Sequence, residues 1–172
     1  MAYSLKYTYN SSSQSYSVTG WSTITTSDKV VIPNTYNDGT NGEHPLTSIG
    51  SYAFEDCSSL TSVTIGSSVT SIGWCAFRGC SSLTNIEIPN SVTSIGNDAF
   101  NSCSSLTSIE IPNSITDIGD NAFRYCDKLE EITYVGTKKE AVRSGIGNRS
   151  RKKWRERSAI HEIICNDGVI DL

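Results

Sequence analysis

Leu60, Leu83, Leu106 and Leu129 stand 23 residues apart, and so do Phe54, Phe77, Phe100 and Phe123. Ala53, Ala76, Ala99 and Ala122 keep the same step, as do Cys57, Cys80, Cys103 and Cys126. Ile49, Ile72, Ile95 and Ile118, each followed by glycine, complete a pattern that runs through four copies without an insertion. A period of this size marks a stacked repeat, because one unit presents more apolar side chains than it can cover alone. Neighbouring units must share their cores, so the chain is predicted to be a solenoid.

The copy from Leu83 to Cys103 shows how a unit works. Leu83 leads into Ile86-Glu87-Ile88, whose in-out-in alternation predicts a short strand with two inward isoleucines. Pro89-Asn90 ends it, since proline cannot donate to a sheet ladder. Val92 and Ile95 point inward along the next stretch, and Gly96 permits the bend after it. The spacing of Ala99, Phe100 and Cys103 places them on one face of a single helical turn. Composition agrees, with 45 Ser and Thr in 172 residues and Ile outnumbering Leu by 18 to 7. Such a core is stiff and β-branched, which excludes long helical bundles and coiled coils.

The Leu-x-x-Ile-x-Ile segment together with Ile-Gly-x-x-Ala-Phe-x-x-Cys closely resembles the BspA-like, or Treponema-type, leucine-rich repeat family, strongly over 46–135. The resemblance implies an α/β leucine-rich repeat solenoid. Short parallel strands are expected on one face, single helical turns or irregular segments on the other, and caps at both ends. Val30-Val31-Ile32-Pro33 is similar to a degenerate first copy, separated from Leu46 by a turn-rich surface loop at 34–45 containing Asn37-Asp38-Gly39 and Asn41-Gly42.

The divisions expected are an N-terminal cap over 1–29, the solenoid over 30–135 and a C-terminal cap over 136–172. Tyrosines flanking Asn10-Ser-Ser-Ser-Gln14 predict a hairpin at the front. At the rear, Thr137-Lys-Lys-Glu140 has the capping-box pattern of a short helix that Gly145 should stop, and Asn166-Asp167-Gly168 predicts a terminal hairpin. Tyr134-Val-Gly-Thr-Lys-Lys and Cys-Asn-Asp-Gly also resemble the tails of that bacterial family, although Ala141 and a basic run replace the aromatic expected after the lysines.

Four cysteines at one step do not make a metal site. A tetrahedral zinc needs its sulfurs about 2.3 Å from one point, whereas a ladder with a rise of about 4.8 Å per repeat spreads its ends over roughly 14 Å. Disulfides between neighbours satisfy the distance but not the torsions, so buried, reduced thiols are preferred. Cys75 falls in the slot of Tyr52, Asp98 and Asn121 and is expected to be exposed; it and Cys165 in the terminal cap are the candidates for a reactive thiol. His44 and His161 stand apart from any nucleophile or metal motif, so no catalytic residue, metal or cofactor is expected and the chain is read as a non-enzyme.

No apolar run approaches the roughly 20 residues of a membrane span, and Met1-Ala2-Tyr3-Ser4 does not begin a signal peptide. The net charge of −4 is uneven: 1–137 carry 5 basic and 13 acidic residues, whereas 138–157 carry 9 and 2. Within the latter, Arg149, Arg151, Lys152, Lys153, Trp154, Arg155 and Arg157 form a basic segment with one aromatic. It supports an alternative reading as a binder of nucleic acid or anionic surfaces, but no base-reading module surrounds it and a solvated surface is preferred. The preferred site is the outward face of the strands, with Ser62, Asn85, Ser108 and Glu131 in one column and Thr64, Glu87, Glu110 and Thr133 in the next. A rigid polar face of this kind suits a protein or glycan partner. Glu87 and Glu110 carry the more specific signal, because like charges on adjacent strands cost stability. Family resemblance implies a secreted or cell-surface bacterial protein with an adhesive role; oligomeric state is not fixed by the pattern.

Overall fold

In the computed structural model, residues 3–23, 28–144, 146, 155 and 157–172 are described. Strands β1 (Tyr3–Asn10) and β2 (Ser15–Thr23) form the expected antiparallel hairpin. The Asn10 side chain closes its turn by accepting from the Ser12 and Ser13 amides at 3.0 and 3.3 Å. Strand β3 (Lys29–Ile32) is the degenerate first copy. The loop expected at 34–45 is instead a second hairpin, of β4 (Thr35–Asn37) and β5 (Glu43–Ile49). Two forces order it. Asp38 accepts the Thr40 and Asn41 amides at 2.8 Å, which holds its carboxyl well below the usual range, and Tyr36 stacks on Tyr7 with centroids 3.7 Å apart.

The repeats then contribute β6 (Ser62–Ile65), β7 (Ser71–Ile72), β8 (Asn85–Glu87), β9 (Ser94–Ile95), β10 (Glu110–Pro112), β11 (Asp117–Ile118) and β12 (Glu131–Val135). The Ile-x-Ile segments build the strand face, where β3, β6 and β8 pair in parallel and β10 pairs with β12. The Ser-Ile-Gly segments build a second parallel ladder, β5-β7-β9-β11, which the N-terminal hairpin extends in the order β1-β2-β5. Its strands of two residues in each repeat are too short for an alternating pattern to reveal.

Of the two forms expected for the far side, the irregular one is realised. The helical turn read at Ala99-Phe100-Cys103 does not form, because two columns of left-handed residues interrupt it. Tyr52, Cys75, Asp98 and Asn121 have φ of 61, 52, 54 and 58°, and Asp56, Gly79, Ser102 and Tyr125 have 55, 73, 64 and 57°. The conformation turns amides out of the local coil and toward the next repeat. Asp98, Phe100 and Ser102 donate to Asp120, Ala122 and Arg124 carbonyls at 2.9, 2.8 and 2.7 Å, while Ala99, Asn101 and Cys103 donate three residues back. Half the amides of the turn thus serve stacking, which satisfies backbone groups that a solitary helical turn would leave open.

The core runs between these walls. Phe54, Phe77, Phe100 and Phe123 are fully buried and stack with centroids 5.0, 5.4 and 5.4 Å apart and planes within 6°. At the rear, α1 (Lys138–Ser144) starts on the predicted capping box, with Glu140 accepting the Thr137 amide at 2.8 Å. Gly145, its expected stop, lies outside the described residues. Strand β13 (Glu162–Cys165) then joins β12 in parallel and β14 (Gly168–Asp171) returns as a hairpin, covering the last repeat.

Candidate functional site

All eight strand-face candidates lie on the strand face, but not in two unbroken columns. Ser62 sits opposite Asn85 and Thr64 opposite Glu87, and Glu110 sits opposite Thr133. Between these groups the ladder stops: β8 ends one sheet and β10 begins another. The Thr133 amide donates to the Ile109 carbonyl at 3.1 Å. One repeat earlier the equivalent step would set the Glu110 amide against the Ile86 carbonyl, where no ladder joins the two strands.

A cleft of about 540 Å³ fills the interruption. Asn85, Glu87, Ser108, Glu110 and Thr133 line its edges, whereas Ser62, Thr64 and Glu131 lie outside it. Ile65, Ile86, Ile88 and Ile109 form the floor, which the search for polar columns passed over. The interruption falls where two carboxylates would face across one ladder step, an arrangement that opposes pairing. Repulsion acts together with strand length. Glu131 faces Glu162 in an unbroken ladder, where β12 has five residues and β13 is held on its other side by β14. Strands β8 and β10 have three residues each, and although β6 and β12 hold their other edges, neither is long enough to carry the ladder across the step.

The thiol column behaves as a buried ladder, open at one end. Cys80, Cys103 and Cys126 donate to the Phe54, Phe77 and Phe100 carbonyls at 3.1, 3.3 and 3.2 Å. Burial pushes the Cys126 thiol up to about 12 and raises Cys103 as well. Cys75, expected to be exposed, is fully buried: its side chain is too short to reach solvent from a slot in which Tyr52, with the same backbone conformation, stays exposed. Burial raises its pKa and that of Cys165, so neither candidate is activated. The half-buried Cys57 at the ladder's open end is the one whose pKa is lowered, by the Cys80 thiol and then by the Trp21 indole N–H that donates to it. Sequence position gave no sign of this, since Trp21 lies outside the repeats.

Of the basic segment, Arg149, Arg151, Lys152, Lys153 and Trp154 lie outside the described residues. The other two bind their own chain. Arg155 donates to the Ile160 carbonyl at 3.1 Å and Arg157 to the Tyr125 hydroxyl at 2.9 Å, while the Tyr125 amide donates to the Arg157 carbonyl at 3.2 Å. Arg157 thus continues the far-side ladder into the cap. Among the described residues, no group of three or more metal-ligating side chains occurs and no helix is long and apolar enough to cross a membrane. His44 lies 2.9 Å from the Asn41 carbonyl within the hairpin and 3.4 Å from the Tyr9 hydroxyl.

Stacked 23-residue units, parallel ladders and a continuous phenylalanine core define a leucine-rich repeat solenoid, a class of scaffold that presents extended binding surfaces. The family model for the BspA type leucine rich repeat region matches residues 40–144 in six copies, and the chain belongs to that family. Its members are interaction modules known from bacteria. A leucine-rich repeat protein from Bacteroides capillosus is similar at 32% identity and a TM-score of 0.68, over 74% of this chain and 91% of that one. The T. pallidum leucine rich repeat protein is similar at 28% identity and a TM-score of 0.61, over 75% and 68%. A leucine rich cell surface protein from Faecalibacterium prausnitzii shares the fold, with 21% identity, a TM-score of 0.57 and coverage of 94% and 52%. None of the curated proteins matches the sequence.

Proposed function

We propose that this protein is a non-enzymatic interaction module of the bacterial surface or exterior that holds a macromolecular partner on its strand face. The observation that carries the reading is the interruption between β8 and β10. Elsewhere the strand face is a ribbed wall of paired strands, and here it opens into a cleft whose rim gathers five of the eight candidate residues. A rigid wall with one recess presents several groups to a partner without ordering them first. Family membership and the cell-surface relative support the location. The division into an N-terminal cap, repeats and a C-terminal cap gives the face its limits, from β3 at one end to the non-repeat strands β13 and β14 at the other.

The test is site-specific photo-crosslinking in the source bacterium. A benzophenone side chain placed at Thr64 or Asn85 should capture a protein partner, and one placed at Asn101 on the far side should not. Surface protease treatment of intact cells should remove the crosslinked species. Capture only from Asn101 would overturn this reading, and binding that strand-face substitutions leave unchanged but that deletion of 149–157 or added salt removes would replace it with the basic-segment one.

A further inference from the structure

We infer that the cleft between β8 and β10 receives an extended, lysine- or arginine-bearing segment of a partner protein; the inference rests on the strand face being the binding surface. Three features converge. First, the exposed carboxylates of Glu87 and Glu110 stand on opposite lips, and among the described residues neither forms an ion pair. Second, the floor of Ile65, Ile86 and Ile109 suits the aliphatic stem of a basic side chain whose charged head reaches the lips. Third, no ladder joins β8 to β10, so each ends its sheet with an edge toward the cleft, where an extended backbone can add as a further strand.

The cleft chemistry also selects among partners. Among the described residues no aromatic side chain lines it, so these residues offer no stacking surface for a sugar ring. Phosphate and nucleic acid would meet two carboxylates in a body that carries 13 acidic against 5 basic residues over 1–137. The same field draws a cationic segment inward. A volume of about 540 Å³ lies in the range of ligand clefts.

Two fluorescently tagged decapeptides test this, one alternating Val and Lys and the other Val and Glu, each titrated into the intact chain at low salt by fluorescence anisotropy. The Lys peptide should bind and the Glu peptide should not. Glu87→Gln with Glu110→Gln should weaken the Lys peptide about tenfold. Both positions are exposed, and amide shifts of the unsubstituted protein give a readout that needs no variant: they should cluster at 85–90 and 108–110. Equal binding of both peptides, unchanged affinity in the double variant, or shifts centred on Asp117 and Asp120 would overturn the inference. So would failure of the Lys peptide to bind. In that event crosslinks from Thr64 and Asn85 would still support the strand-face reading, which falls only when those crosslinks are absent.

Discussion

The junction between the repeat that begins at Leu83 and the one that begins at Leu106 looks different from its two sides. On the far side the connections are made: Phe100 and Phe123 stack, Cys126 donates to the Phe100 carbonyl, and the amides of Asp98, Phe100 and Ser102 cross to the next unit. Beside it the β9-β11 ladder continues, with the Thr116 hydroxyl donating to the Thr93 carbonyl at 3.3 Å. On the strand face no ladder joins β8 to β10 at the same junction. One pair of repeats is therefore held by its core and far side while its front stays open. The strands that define the repeat in sequence are not what secures the stacking here, and this frees the front for recognition.

If that division is right, the greatest loss should come from the far-side core. Phe77→Ala removes the ring that bridges Phe54 and Phe100, leaving a cavity sealed by both neighbours. Such truncations cost about 3–5 kcal/mol, and in a one-dimensional array the damage extends to both flanking repeats. Urea unfolding followed by circular dichroism should show the loss as an earlier midpoint. A cost below about 1 kcal/mol would mean that the repeats do not share one core.

A smaller effect is expected where backbones meet. A Cβ built on Gly96 would lie 2.7 Å from the Gly73 carbonyl carbon and the Trp74 nitrogen, both main-chain atoms with little room to move. The Gly96 amide also donates to the Ile72 carbonyl at 2.9 Å, so a displaced residue would strain the β7-β9 step as well. Gly96→Ala should therefore destabilise by about 1–3 kcal/mol in the same unfolding assay, the range for overpacking a well-filled site. A neutral substitution would show the second ladder to be as loosely joined as the strand face.

The contrast also separates what the sequence could show from what it could not. Anything repeated with a long apolar footprint was legible: the phenylalanine stack, the inward isoleucines, the buried thiols and the capping box at Thr137 and Glu140. The strand face was legible as a set of residues, and the Glu87 and Glu110 column marked the weak step. Whether repulsion would bend, part or merely burden the ladder depends on how long the paired strands are, which only three dimensions supply. Left-handed columns were hidden because Tyr52, Cys75, Asp98 and Asn121 share a backbone conformation without sharing a chemistry. The expectation for Cys75 failed for a different reason, since a slot that exposes Tyr52 buries a side chain as short as cysteine. For the insertion at 34–45, polar turn residues masked a hairpin whose order comes from tyrosines in β1 and β2, distant in sequence.

The smallest effect should have the opposite sign. Glu87→Thr with Glu110→Thr gives the front column the residue it already carries at Thr64 and Thr133, removing the like charges across the open step. Relief of a cross-strand repulsion is worth about 0.2–1 kcal/mol, so the double variant should be slightly more stable than the parent. Hydrogen exchange gives the sharper reading. If charge holds β8 and β10 apart, the amide at position 110 should become protected as it pairs with the Ile86 carbonyl, while the far-side amides of Phe100 and Ser102 keep their rates. A stability gain without new protection at 110 would place the cause in the short strands themselves, since repulsion would then burden the step without being what opens it.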